Sequence, residues 1–291
     1  MKTELLGNKY LVLRLFDNGG TSNIYLVEEI KTGKKYIEKV FNNSKYYEIE
    51  LNILKHLSSL NSPNIIKLIS YSDEQTKIDN ESNDNDNENK KYIILDYIPN
   101  KDLLNYITIV NGLNEQETKK MFYQILKAVQ LCHNNGICHR DLKLENILLN
   151  ENYEPILIDF GFGCILEEEN GEKKKLNEFL GSKNYCAPEI WKNIPYDGEK
   201  CDIFSLGVIL FTLYFGNFGF LNSTPKDELY KLIMKKKYDD YWNEIGRIIG
   251  NKKLNVVSSE FKNLYLKMVA NNPNERPSIE EILNHEWFID I

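Results

Sequence analysis

The sequence predicts an α+β chain in two lobes, a small antiparallel sheet with one helix followed by a larger helical lobe. Three observations predict it. Short β-type runs cut by glycine turns are confined to residues 1–97, helical periodicity dominates after Asp102, and the one long interruption is too polar to pack.

Residues 10–13, 24–27 and 35–41 are rich in β-branched, aromatic and aliphatic side chains. Asn18-Gly19-Gly20 and Thr32-Gly33 fall between them as turns, so a small antiparallel meander is expected. Over 46–60 apolar residues recur at helical spacing (Ile49, Ile53, Leu54, Leu57), and Pro63 closes the segment. Residues 65–70 and 92–97 predict two further strands. Between them, 73–91 is dominated by Asn, Asp, Glu and Lys and cannot offset its ordering entropy, which predicts a disordered hairpin insert. The pattern then turns helical at 103–110 and at 115–133, where Met121, Phe122, Ile125, Leu126, Val129 and Cys132 line one side. Further helices are predicted at 201–215, 226–236, 259–270 and 279–284. The expected lobes are therefore 1–97, with its insert, and 98–291, with a hinge near 96–99 and a cleft of the kind that binds ligands.

With 291 residues, 42% hydrophobic and 27% charged, the chain has ordinary globular composition. Its formal charge of −7, from 43 acidic and 36 basic residues, repels nucleic acid and anionic membranes; neither is expected as a partner, and basic peptides are steered more readily. Five cysteines, odd in number and without metal-type spacing, argue against a disulfide framework or zinc site and for a reducing compartment. With Glu4 and no sustained apolar run, residues 1–9 do not read as a signal peptide, and none is expected; the longest apolar run, 204–215, is too short to span a bilayer and reads as a buried helix. A monomer is expected in the cytoplasm, with the nucleus also open.

The chemistry concentrates in two motifs. His139-Arg140-Asp141-Leu142-Lys143-Leu144-Glu145-Asn146 is followed, thirteen residues after Asn146, by Asp159-Phe160-Gly161. This pair resembles the catalytic loop and metal-binding motif of the eukaryotic protein kinases, and the resemblance runs from Tyr10 to Phe288. It implies the bilobal protein-kinase fold and transfer of the γ-phosphate of ATP to protein hydroxyls. Asp141 would orient the acceptor hydroxyl and take its proton. Lys143 would lie beside the transferring phosphate, and Asn146 and Asp159 would supply hard oxygens for Mg2+. Gly181-Ser182 and Ala187-Pro188-Glu189 resemble the family's substrate-side segment. Glu189 is expected to pair with Arg276, and Asp202 to brace the catalytic-loop backbone. Lys143 and Ser182 resemble the serine/threonine type, and the ending His285-Glu286-Trp287-Phe288 resembles the calcium/calmodulin-dependent branch.

In the smaller lobe Tyr36-Ile37-Glu38-Lys39 stands in place of the family's Val-Ala-Ile-Lys. The resemblance thus makes Lys39 the residue for the α- and β-phosphates, with Glu50 its helix partner and Glu48 the alternative. The phosphate loop is 17–24: Gly19 and Gly20 are present, Ile24 matches the family's Val, and Asp17 and Ser22 replace the first and third glycines. Ile37 adds bulk to the adenine roof, and reduced ATP affinity is expected. Leu95 is at the gatekeeper position, Asp96 and Ile98 at the hinge that meets adenine, Leu148 at the adenine floor, and Asp102 beside the ribose or a basic substrate residue. His139, Leu54, Leu68 and Phe160 fit the family's stacked apolar column.

Between Asp159 and Gly181 there is no Ser, Thr or Tyr. Relatives with an Arg before the catalytic Asp pair it with an anion in this segment, usually a phosphorylated hydroxyl. Glu178 occupies that place, and it is expected to pair permanently with Arg140. Asp102 and Glu145 match positions that receive arginines in basophilic relatives, whereas Thr212 replaces a third acidic one, so a mild basic preference is expected. The reading is an active serine/threonine kinase with ATP and Mg2+; a pseudokinase scaffold is the alternative. A small-molecule kinase is disfavoured by the Ala-Pro-Glu segment.

Overall fold

The structure, a computed structural model, describes residues 5–6, 9–72, 91–166 and 174–289. Most of the expected insert, 73–90, lies outside the described residues. Lys91, its last residue, does not: its carbonyl accepts a 2.9 Å bond from the Phe41 N–H. The fold is α+β and divides into two compact units, Met1–Pro99 with Asp159–Gly161, and Asn100–Ile158 with Phe162–Ile291.

In the first unit β1 (Leu5–Leu6), β2 (Tyr10–Asn18), β3 (Ser22–Glu29), β4 (Lys35–Phe41), β5 (Leu68–Tyr71) and β6 (Tyr92–Asp96) form one antiparallel sheet, in the order β1-β2-β3-β4-β6-β5. Ile24 stands opposite Lys39, Leu26 opposite Ile37, and Ile37 opposite Leu95. Because side chains alternate along a strand, these residues share one face. Tyr10, Val27, Tyr36 and Ile94 occupy the other and form a core with Val12, Tyr25, Ile69 and Tyr92.

β2 runs five residues beyond its predicted end. Two register shifts, between Val12 and Arg14 and between Leu15 and Asp17, break the alternation that a strand normally announces. β5 begins three residues late, because its ladder to β6 starts at Leu68 opposite Leu95. Helix α1 (Ser44–Ser59) starts where Asn43 accepts a bond from the Lys45 N–H, 2.8 Å away. Its core stripe carries Tyr47, Leu51, Ile53, Leu54 and Leu57, and sets the carboxylate of Glu50 among them.

The second unit contains α2 (Leu103–Val110), α3 (Glu115–Asn134), β7 (Ile137–Cys138), β8 (Ile147–Leu149), β9 (Pro155–Leu157), β10 (Cys164–Ile165), α4 (Pro188–Trp191), α5 (Gly198–Phe215), α6 (Glu228–Met234), α7 (Tyr238–Ile249), α8 (Asn251–Leu254), α9 (Ser259–Met268) and α10 (Ile279–Leu283). Helix α5 is its centre. Asp197 caps its start, Gly216 in the left-handed region (φ 75°) ends it, and every residue from Cys201 to Phe215 is buried. Helices α3 and α9 pack against it. Phe211 and Phe215 meet Trp242 at centroid distances of 6.2 and 6.3 Å, so α7, over which the sequence offers no functional reading, supplies core. Among the described residues no helix is long and apolar enough to cross a membrane.

The strands β7 to β10 went unpredicted because two or three residues are too few to display a period. They pair as β7 with β10 and β8 with β9. Residues 139–146 run between β7 and β8, and residues 158–163 between β9 and β10.

Candidate active site

The expected site residues fall into two groups, one in each unit. In the first, the Lys39 ammonium lies 2.7 Å from Glu50 Oε2 and 2.8 Å from Asp159 Oδ1. Glu48, the alternative partner, is exposed. Burial lowers the proton affinity of Lys39, but attraction to Glu50 and Asp159 outweighs it and holds the ammonium charged. Burial pushes Glu50 up to about 7, with Lys39 pulling the other way and Asp159 adding to the rise. Asp159 has φ 62°, a left-handed conformation that costs a non-glycine residue about 1–3 kcal/mol. Gly161 is tight against the cluster: a Cβ there would stand 3.3 Å from both Asp159 Oδ1 and Glu50 Oε2.

On the sheet, Ile24 and Ile37 are half-buried beside Lys39, and Leu95 is buried. The Gly19 N–H closes the tight turn by donating to the Ser22 carbonyl, 3.0 Å away, and Gly20 has open space where a side chain would be. Asp17 is exposed and accepts from the Asn18 N–H at 2.7 Å, which keeps its carboxylate occupied locally. Asp96 carries a contact the sequence did not announce, 3.1 Å from the Lys34 ammonium; Ile98 is half-buried.

In the second unit a closed network surrounds Asp141. Lys143 Nζ donates to Asp141 Oδ2 (2.7 Å) and to Ser182 Oγ (3.0 Å), and Ser182 Oγ donates to Asp141 Oδ1 (2.9 Å). Asn146 Nδ2 donates to the Asp141 carbonyl (2.9 Å) and to its Oδ2 (3.1 Å). That commits the nitrogen end of the Asn146 amide and leaves its oxygen as a hard ligand. In the first unit the carboxylate of Asp159, whose side chain is 43% exposed, is likewise a hard oxygen donor of the kind Mg2+ takes.

The loop itself is held from below. Asp202 accepts from the His139 N–H (2.8 Å) and the Arg140 N–H (2.9 Å), and His133 Nε2 lies 3.0 Å from it. Arg140 has φ 65°, so Asp202 clamps a strained turn. His139 Nδ1 accepts from the Asp141 N–H at 3.3 Å, and Nε2 donates to the Ile158 carbonyl at 2.9 Å; the ring is a structural hydrogen-bonding element.

The Arg140 guanidinium donates to Glu178 Oε2 at 2.7 Å, and to the carbonyls of Phe162 (2.5 Å) and Gly163 (3.3 Å). Burial lowers its proton affinity and the Glu178 bond more than restores it. Tyr196 Oη donates to the Glu178 carbonyl at 2.9 Å, a support that a linear reading does not reveal across 18 residues. Gly181 has φ 103°, and a Cβ there would strike the Arg140 carbonyl at 2.9 Å.

Asp102 is first of all the N-cap of α2, accepting from Asn105 N at 2.8 Å, and it forms a β-bridge with Leu148. Glu145 is exposed and accepts from Tyr185 Oη at 3.1 Å, a partner the sequence did not signal. Glu189 receives both Nη1 (2.6 Å) and Nη2 (2.7 Å) of Arg276, the expected pair.

Among curated proteins, sperm motility kinase 3A of Mus musculus is similar, with 30% identity over 285 residues, 96% of this chain and 49% of that protein. NUAK family SNF1-like kinase 1 of Homo sapiens is 35% identical over 232 residues, 79% of this chain and 30% of that protein. Sperm motility kinase Z of Mus musculus is 27% identical over 279 residues, 96% of this chain and 50% of it. The chain thus spans about half the length of the sperm motility kinases it matches. The family model for the protein kinase domain matches residues 10–288, and the chain belongs to the protein kinase family.

Proposed function

We propose that the chain is an active ATP-dependent serine/threonine kinase that needs no phosphorylated residue in the segment between Asp159 and Gly181. The observation that carries the reading is the ammonium of Lys39, held between Glu50 and the half-exposed Asp159 at 2.7 and 2.8 Å, because a buried Lys–Glu charge pair is costly to keep without a use.

In the transfer, the acceptor hydroxyl oxygen bonds to the γ-phosphorus as the bond to the β-phosphate oxygen breaks, and Asp141 receives the hydroxyl proton. Lys39 binds and orients the α- and β-phosphates. Lys143 neutralises charge on the oxygens of the moving group, a term worth more in a water-poor site than in bulk. Asn146 and Asp159 would hold Mg2+, which when bound neutralises charge on the phosphate oxygens.

Ser182, joined to both Asp141 and Lys143, supports the serine/threonine assignment. Glu178 on Arg140 at 2.7 Å supports independence from segment phosphorylation, since the carboxylate already fills the anion's place. The exposed carboxylate of Glu145 supports mild preference for basic peptides, which a positional peptide array tests by enrichment of arginine upstream of the acceptor.

The deciding assay gives the purified protein Mg-ATP and a basic peptide, beside Asp159→Asn. The expected result is a loss of on the order of 100-fold or more in the variant. Equal signals from the two proteins would remove the enzyme reading and leave the scaffold.

A further inference from the structure

Two cysteines outside the kinase machinery face each other beside Arg140. In the antiparallel pair β7 and β10, Cys138 stands directly opposite Cys164, and Ile137 opposite Ile165. Opposed residues in such a pair project to the same face with Cα atoms about 4.5–5.5 Å apart. A disulfide spans Cα separations of about 4.4–6.8 Å. Both thiols are free, and Cys138 Sγ lies across the ladder, 3.6 Å from the Cys164 carbonyl oxygen. Gly198 makes the space for that sulfur, since a Cβ at Gly198 would fall 2.5 Å from it.

The two thiols differ as an attacking and a resolving cysteine do. Cys138 is fully buried, whereas Cys164 is partly open to solvent. The hydrogen bond from Cys138 brings the Cys164 thiol down to about 6; burial opposes this, the positive charges of Arg140 and Lys174 assist it, and Glu178 opposes it. Cys138 is held well above its ordinary range, first by donating that bond and then by burial. The remaining three are buried, and burial pushes all three thiols up, Cys186 to about 12. A selective site therefore exists among five cysteines.

We propose that Cys164 is a peroxide-reactive modification site with Cys138 as its resolving thiol, the two closing a reversible disulfide between β7 and β10. The Cys164 thiolate attacks one oxygen of a hydroperoxide; the S–O bond forms, the O–O bond breaks, and the departing oxygen leaves as an alcohol or water after taking a proton. Cys138 then gives up its proton and attacks Cys164 Sγ. The S–S bond forms, the S–O bond breaks, and hydroxide leaves as water with that proton. Two thiols are oxidised by two electrons and one peroxide is reduced. The link would fasten Gly163, whose carbonyl accepts from Arg140, to the strand that leads into Arg140.

The experiment is a titration of the purified protein with hydrogen peroxide, followed by N-ethylmaleimide blocking and peptide mapping without reduction. The expected product joins the Cys138 and Cys164 peptides, two hydrogens lighter, and dithiothreitol releases it. Before oxidation, Cys164 alkylates at neutral pH at least roughly tenfold faster than any other cysteine, as its thiolate fraction requires. Cys164→Ser forms no link. Cys138→Ser leaves Cys164 as a sulfenic acid that dimedone captures. A wild-type protein in which Cys164 stays free under peroxide, or alkylates no faster than the buried thiols, overturns the proposal; because that readout is on the wild type, poor folding of Cys138→Ser does not affect it.

Discussion

The second unit contains two Arg–Glu pairs built to opposite specifications. Arg276 has 0% of its side chain exposed and Glu189 5%; both guanidinium nitrogens of the fork meet both carboxylate oxygens, and Nε and Nη1 also reach the carbonyls of Ala270 and Lys200, each at 2.9 Å. Arg140 is also buried, at 5%, but its partner Glu178 is 45% exposed and gives it one oxygen. The first pair has no water to fall back on, so removing either member strands a charge. Backbone carbonyls support both guanidinium groups, but in the second pair the carboxylate is already half in water, so its loss costs less. Identical residue types thus serve as architecture in one place and as an adjustable setting in the other, and exposure of the acid decides which.

The largest effect is expected from Glu189→Ala. The buried guanidinium is left uncompensated, which costs about 3–5 kcal/mol, a large share of a domain's stability. Urea denaturation should show the midpoint falling steeply or no folded protein at all. A loss below about 1 kcal/mol would place this pair in the same class as Arg140–Glu178 and end the contrast.

Glu50 offers a third case, a buried acid in a pair that the proposed chemistry uses. Its folded value near 7 lies above the ordinary 4.5. As pH falls through 7 the carboxylate is neutralised and its hold on Lys39 weakens, so turnover is expected to drop roughly eightfold between pH 7.5 and 6. Stability runs the other way. The raised acid contributes stability that is fully present below 4.5 and lost as pH rises through 7, and Glu38, pushed up to about 7 by burial, contributes with the same sign. Glu50→Gln should flatten the turnover profile and keep only the Glu38 share of the stability slope. A turnover profile in the variant as steep as in the wild type would remove Glu50 from this role.

These cases also mark what a linear reading reaches. Lys39, Asp141, Asn146 and Asp159 stand out in the sequence through the protein-kinase motifs they resemble, and the fold brings Lys39 to Asp159 and Asn146 to Asp141. Glu50 was legible against Glu48 because Leu54, one turn on, marks the buried side of α1. The short strands β7 to β10 were not, and neither were the supports that cross long sequence separations: Tyr196 on Glu178, Tyr185 on Glu145, Lys34 on Asp96. No local period encodes a contact between residues 18, 40 or 62 apart. Asp17 reads as a charge in a phosphate loop, and only the fold reveals that it turns to its own neighbour.

Glu178→Ala tests the adjustable pair directly. With the acid half in water, its removal should change stability by less than about 1 kcal/mol. Turnover should fall about five- to tenfold, as expected when one state of a two-state segment loses its anion. Thermal melts and kinetics on the same preparation separate the two. Unchanged turnover would make Glu178 a bystander.

The smallest effect is the most discriminating, because ionic strength acts on the two pairs differently without touching the sequence. Raising sodium chloride toward 0.5 M shortens the screening distance to about 4 Å, which weakens an ion pair open to water and leaves a buried bidentate one nearly intact. Wild-type turnover should fall about twofold by loosening Arg140–Glu178, while the urea midpoint governed in part by Arg276–Glu189 stays in place. Glu178→Ala, having no carboxylate to screen, should lose that part of the salt response. If wild type and variant respond to salt alike, the anion on Arg140 is not what sets turnover, and the difference in exposure between the two pairs has no functional consequence.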